Sequence, residues 1–169
     1  VAAIHIKSPN ADFNVVKKGD TWRVPERNDY LANYGQIKDL LLKMRDLKVV
    51  QSDTIGPSQW GRVGLADTGN ATNAATLLEF KDAAGRIVNA LMVGKRHLRP
   101  QSKSDPFRLK GLFDGCYVRV PSDPENVLLI SDDLAAAAPE PHDWLDRTFV
   151  KIDRIKSIRE CLHLVTLSL

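Results

Sequence analysis

The sequence predicts an α+β domain: a mostly antiparallel sheet, built from hairpins and covered by one long amphipathic helix. Three features carry that expectation. Apolar residues alternate in short runs separated by turns rich in Gly, Asn, Asp and Pro, the pattern of hairpins. After the first of these, Tyr34, Ile37, Leu40, Leu41, Met44 and Leu47 recur three and four apart, which places them along one stripe of a helix. Strands gathered in adjacent hairpins around one such helix favour a layered α+β arrangement.

Val1, Ala3, Ile4 and Ile6 read as a short strand, stopped at Ser8-Pro9-Asn10. The runs 13–16 and 22–24 flank the polar turn Lys17-Lys18-Gly19-Asp20 and form a first hairpin, with Phe13, Val15, Trp22 and Val24 competing for its buried face. Pro25 ends the ladder because it has no N–H to donate. Asn33 is placed to cap the helix, and Gln36 completes an Asn-x-x-Gln capping box. Lys38, Asp39, Lys43, Arg45 and Asp46 form the solvated side. Val49-Val50 reads as a brief strand, Pro57-Ser58-Gln59-Trp60-Gly61 as a turn, and 67–73 as a loop. Two more hairpins follow, 75–80 with 87–93 and 117–120 with 127–130, the latter joined through 121–126. The segment 134–138 suits a short helix cut by Pro139 and Pro141, and 142–147 a single turn. From Phe149 the pattern is strand-like again. Residues 1–155 are expected to form one domain. Residues 156–169, whose alternation resembles the opening strand, either pair back onto the sheet or begin a further repeat.

The chain has 169 residues, enough for one ordinary domain or two small ones, and a tandem of large folds is excluded. At this size a chain buries roughly 70% of the surface exposed when unfolded, so a core needs no metal or disulfide staple. Hydrophobic residues make up 43% and charged ones 27%, a balance that favours folding over disorder. The formal charge of +3 is too small to indicate nucleic acid. No apolar run approaches the roughly 18 residues of a membrane helix, and no signal-peptide pattern is present. A chain that opens on Val1 rather than methionine is expected to be a piece of a longer protein or a processed form. Cys116 and Cys161 allow one disulfide or two buried thiols.

The signatures of common catalytic classes are missing: no Gly-x-Ser-x-Gly elbow, phosphate-binding loop, dinucleotide fingerprint or His-Glu-x-x-His motif occurs. His5, His97, His142 and His163 are scattered, and Asp132-Asp133 and Asp143 with Asp146 suit capping as well as acid–base chemistry. No catalytic residue, metal or cofactor is therefore expected. One stretch stands out. Lys95, Arg96, Arg99, Lys103, Arg108 and Lys110 face the single acid Asp105, a local charge of +5. Set among Pro and Ser, these charges are expected on a long loop, either simply solvated or placed to meet anionic lipid headgroups, a polyanion or an acidic protein. With Phe107 as their only aromatic neighbour, they lack the stacking platform of a nucleic-acid site.

The order of several motifs resembles an uncharacterised family. The Lys-Gly-Asp-x-Trp hairpin, the Leu31-Ala32-Asn33 lead into the helix, Trp60-Gly61-Arg62-Val63-Gly64-Leu65, Met92-Val93-Gly94-Lys95, Cys116-Tyr117-Val118-Arg119 and Trp144-Leu145-Asp146-Arg147 occur in the same succession as in an extracytoplasmic domain encoded beside ABC transporters of the gliding-motility type. The resemblance implies a bacterial protein anchored by a membrane helix that precedes Val1, with its domain on the periplasmic or outer face. It implies an auxiliary, noncatalytic interaction module whose partners are transporter subunits or other envelope proteins. A polyanion-, headgroup- or small-ligand-binding domain is the alternative, and a hydrolase with a dispersed site comes third. By the same resemblance Trp22, Gly64, Leu65, Gly94 and Trp144 are structural: glycines where the backbone needs positive φ or close approach, tryptophans as buried anchors. The connection between Gly94 and Tyr117 is longer than the family pattern, and this excess contains the basic stretch.

Overall fold

Ile4 and Ile6, separated by one residue, point to the same side of a strand, and both are fully buried in β1 (Ala3–Lys7). The protein is described by a computed structural model covering residues 1–67, 73–98 and 113–148. β1 pairs with β2 (Asp12–Lys18), which sets Phe13 opposite Ile6 and Val15 opposite Ile4, and β2 turns back into β3 (Thr21–Val24). Pro25 opens a 3-10 turn, after which a two-residue strand β4 (Tyr30–Leu31) pairs with β3. Helix α1 (Tyr34–Asp46) leads to β5 (Val49–Thr54). β6 (Thr76–Lys81), β7 (Ile87–Leu98), β8 (Phe113–Val120) and β9 (Asp123–Ile130) complete the strands of the described residues.

These nine strands make one sheet in the order β4-β3-β2-β1-β6-β7-β8-β9-β5. All neighbours are antiparallel. β1 is the join: on its second edge it pairs with β6, with Ile4 opposite Phe80 and Ile6 opposite Leu78. The antiparallel character agrees with the sequence pattern, while several details differ. β5 is six residues rather than two, and it closes the far edge beside β9. β9 begins at Asp123, so the turn shrinks to Pro121-Ser122. Pro124 is tolerated because it lies beyond the last contact with β5, Ile55 N–H to Glu125 O, where no donor is required.

One face of the sheet carries most of the core. Ile4, Ile6, Phe13, Val15, Trp22, Val24, Leu78, Phe80, Leu91, Val118 and Ile130 pack with Ile37 and Leu40 of α1. The helix is thirteen residues, shorter than its stripe suggested: Leu47 is the C-cap, and Tyr34 is 65% exposed. Asn33 Oδ1 accepts from the Gln36 N–H at 3.3 Å, but the Gln36 amide donates to Ala136 O rather than back to the cap. The Asn33 N–H is instead taken by Trp144 O, so half of the expected capping box is replaced by a tertiary bond.

The cover is shared with the segment after β9. No helix forms at 134–138. The side chains of Asp132 and Asp133 accept from the backbone N–H groups of Leu134 and Ala135, an Asx-turn arrangement that competes with helix bonding, and Leu134 adopts φ 46°. These turns push Leu134, Ala136 and Ala137 into the core. Trp144, in the 3-10 turn Pro141–Trp144, is wholly buried, meets Phe13 edge-on at 6.4 Å and donates its Nε1–H to Ala138 O at 2.9 Å. The segment from Phe149 onward, expected to be strand-like, lies outside the described residues.

Candidate functional site

The second face of the sheet divides into a charged half and an apolar half, because residues that alternate with the core point there. On β1, β2 and β6 these include His5, Lys7, Asp12, Asn14, Glu79 and Lys81. His5 lies between two carboxylates, Nε2 at 2.7 Å from Asp12 Oδ1 and Nδ1 at 2.9 Å from Glu79 Oε2. Lys7 reaches Asp12 at 3.2 Å and Lys81 reaches Glu79 at 3.5 Å. The His5 hydrogen bond is the main reason that the Asp12 carboxyl lies below its ordinary range.

On β7, β8 and β9 the second face is apolar, and the 3-10 segment Pro57–Val63 covers it. Trp60, Leu65, Ala75, Met92 and Val127 form a second buried cluster. Two glycines let this cover approach. Gly64 has φ 71°, and a Cβ there would sit 2.6 Å from Lys95 Cγ and 2.9 Å from Lys95 N. A Cβ on Gly94 would lie 2.6 Å from Val63 O and 2.9 Å from Leu65 Cγ. Leu65 is fully buried between these backbones.

Arg119 sits within this apolar half. Its guanidinium lies 3.7 Å from the centroid of the Trp60 ring, and the Trp60 Nε1–H donates to Ile55 O at 2.9 Å, which fixes the ring. Arg119 Nη2 donates to Asp67 Oδ1 at 3.2 Å and lies 2.8 Å from Met92 Sδ. Among the described residues Nε is buried without a hydrogen-bond partner. Beside this cluster opens a groove of about 610 Å³, floored by Leu77, Ala90 and Met92 and bounded by Asp67, Glu79 and Val88.

Of the six basic residues singled out in the sequence, only Lys95 and Arg96 lie among the described residues, and they are not on a loop: β7 extends through Leu98. Its basic end lacks the apolar alternation that marks strands in a sequence. Arg96, opposite Cys116 in the ladder, donates to Asp133 at 3.1 Å, and its guanidinium stands 6.0 Å from the Phe113 ring. The structure therefore does not bring the basic residues together as a described patch. Arg99, Lys103, Arg108 and Lys110 lie outside the described residues.

Lys43 joins Arg96 at Asp133, at 3.5 Å, and also meets Asp132 at 3.0 Å. The Ala135 N–H, followed by the Lys43 and Arg96 charges, holds the Asp133 carboxyl below its usual value of 3.8. A depressed folded pKa contributes stability that is present above the unfolded value and lost as pH falls through the folded one. The stability difference between the natural protein and Asp133→Asn should therefore shrink as the pH is lowered from about 6 to about 2 in urea titrations. A difference that stays constant over that range would refute the assignment.

Cys116 is 1% exposed, and burial, reinforced by the Asp133 charge, pushes its thiol up to about 11. It is a core thiol that lies 3.5 Å from Gly94 O, with little thiolate character near neutrality. Cys161 lies outside the described residues. His97 bonds Asp114 through Nδ1 and stands edge-on to Tyr117, and His142 lies 3.3 Å from Asp143. Among the described residues no group of three or more His, Cys, Asp or Glu side chains is arranged to hold a metal. No helix among them is long and apolar enough to cross a membrane.

Fold and site together define an antiparallel α+β sheet domain with a helix-bearing apolar face and an open groove on the other. A family profile described as "Domain of unknown function (DUF4340)" matches residues 22–159, and the chain belongs to that family. No curated protein and no solved structure matches it.

Proposed function

We propose that this domain is a noncatalytic docking module on the extracytoplasmic side of a membrane, an auxiliary part of a transporter-associated assembly. The groove on the second face is the observation that carries the docking reading. At about 610 Å³ it falls within the roughly 300–1,000 Å³ of ligand sites, and its floor is apolar. Ile87 and Val88 contribute to its boundary although they are 54% and 58% exposed, apolar area of the kind that marks contact surfaces. Both acids of the groove are already engaged, Glu79 by Lys81 and Asp67 by Arg119, so it offers shape and apolar contact rather than an unengaged acid–base pair. The location, the membrane anchor and the transporter subunits as partners rest on the order of motifs described above.

The test is made on the whole membrane-anchored protein carrying Ile87→Glu and Val88→Glu. Since both side chains face water, the unfolding midpoint should hold while co-purification and cross-linking of the neighbouring transporter subunits are lost. Unchanged recovery of those subunits would overturn the reading. Binding of anionic lipid headgroups or a polyanion is the second reading, favoured by the exposed positions of Lys95 and Arg96 at the end of β7. It requires salt-sensitive binding to anionic vesicles that disappears when Lys95, Arg96, Arg99 and Lys103 are neutralised.

A further inference from the structure

Arg119 is 4% exposed, so its charge needs a nearby counter-charge. Among the described residues that role falls to Asp67, through one contact of 3.2 Å, yet the Asp67 side chain is 72% exposed and stands in the groove wall. A solvent-facing carboxylate held by a single bond contributes little and is readily displaced. The second atom against Nη2, Met92 Sδ, also belongs to the groove, and among the described residues the buried Nε has no partner. A desolvated guanidinium whose Nη2 meets the groove wall through a displaceable counter-ion is an anion site filled by the protein's own side chain. Glu79, the other acid of the groove, is hydrogen-bonded with His5 at 2.9 Å and offset by Lys81 at 3.5 Å.

Resting on the docking reading, the geometry points to the groove as a site for an apolar carboxylate of the fatty-acid class. The acyl chain lies along Leu77, Val88 and Ala90. Its carboxylate takes the place of Asp67 on Arg119, where a charge-assisted bond in a poorly solvated site is strong.

Decanoate, decylamine and decanol, each below its aggregation threshold, would be titrated by calorimetry into the full chain and into Asp67→Asn. Decanoate should bind saturably at one site and at least about tenfold more tightly than the other two probes. Asp67→Asn, which removes the internal competitor, should tighten decanoate by about tenfold, provided its circular dichroism matches the natural protein. Decylamine binding as tightly as decanoate, or an Asp67→Asn variant with unchanged or weaker decanoate binding, would overturn the inference. Neither result bears on transporter co-purification through Ile87 and Val88, so this inference and the docking reading fail separately.

Discussion

Trp144→Ala is expected to lower the unfolding free energy by about 3–5 kcal/mol, the cost of removing a large buried aromatic whose cavity cannot fully collapse. Trp144 is fully buried, holds Phe13 edge-on and ties its Nε1–H to Ala138 O. Its ring thus couples β2 to the chain that follows β9. Its carbonyl also receives the Asn33 N–H, so the first turn of α1 depends on where this residue sits. Against a typical domain stability of about 5–15 kcal/mol, the loss removes a large share of the total. Urea unfolding followed by far-ultraviolet circular dichroism would measure it. A loss below about 1 kcal/mol, the level of an ordinary point mutant, would show that the first core does not rely on this anchor.

The second large effect is expected on the other face. Gly94→Ala drives a Cβ to 2.6 Å from Val63 O, a backbone atom that cannot rotate away, and to 2.9 Å from Leu65 Cγ. Either β7 or the 3-10 cover must shift, at about 1–3 kcal/mol for an overpacked site. Because Trp60 rides on that cover, the shift should also loosen its contact with Arg119 and change near-ultraviolet circular dichroism. Gly61→Ala is the control: a Cβ there meets nothing within 4 Å, and the stability should change by less than about 0.5 kcal/mol. Equal effects at the two positions would mean that close approach is not what Gly94 provides.

The two faces of the sheet were unequally legible. For the first, alternation at Ile4, Ile6, Phe13 and Val15 and helical spacing at Ile37 and Leu40 point directly to buried positions, because side-chain direction follows from local geometry. The failed helix at 134–138 shows the limit of that logic. Ala-rich composition favours a helix, but the two aspartates before it bond their own backbone. The basic end of β7 was misread for a related reason: strand pairing with β8 carries residues whose side chains show no apolar period.

Arg119 was the residue that sequence reasoning passed over as a site. The signal available was small, an arginine alternating with apolar residues in Cys116-Tyr117-Val118-Arg119-Val120. That position places it on the same face as Tyr117, but nothing local says whether the face is wet or dry. The answer depends on Trp60, brought over the strand by the chain that follows β5.

Taken alone, the amino-acid sequence determined the antiparallel hairpins, the position of the helix and most of the first core, since each follows from spacing within a few residues. The tertiary structure alone decided that the hairpins fuse through β1 and β6 into one sheet, that β5 closes its far edge, and that Arg119, Asp67 and Trp60 meet beside a groove. Those outcomes join segments far apart in the chain. Their physical origin is mutual burial, which no local periodicity encodes.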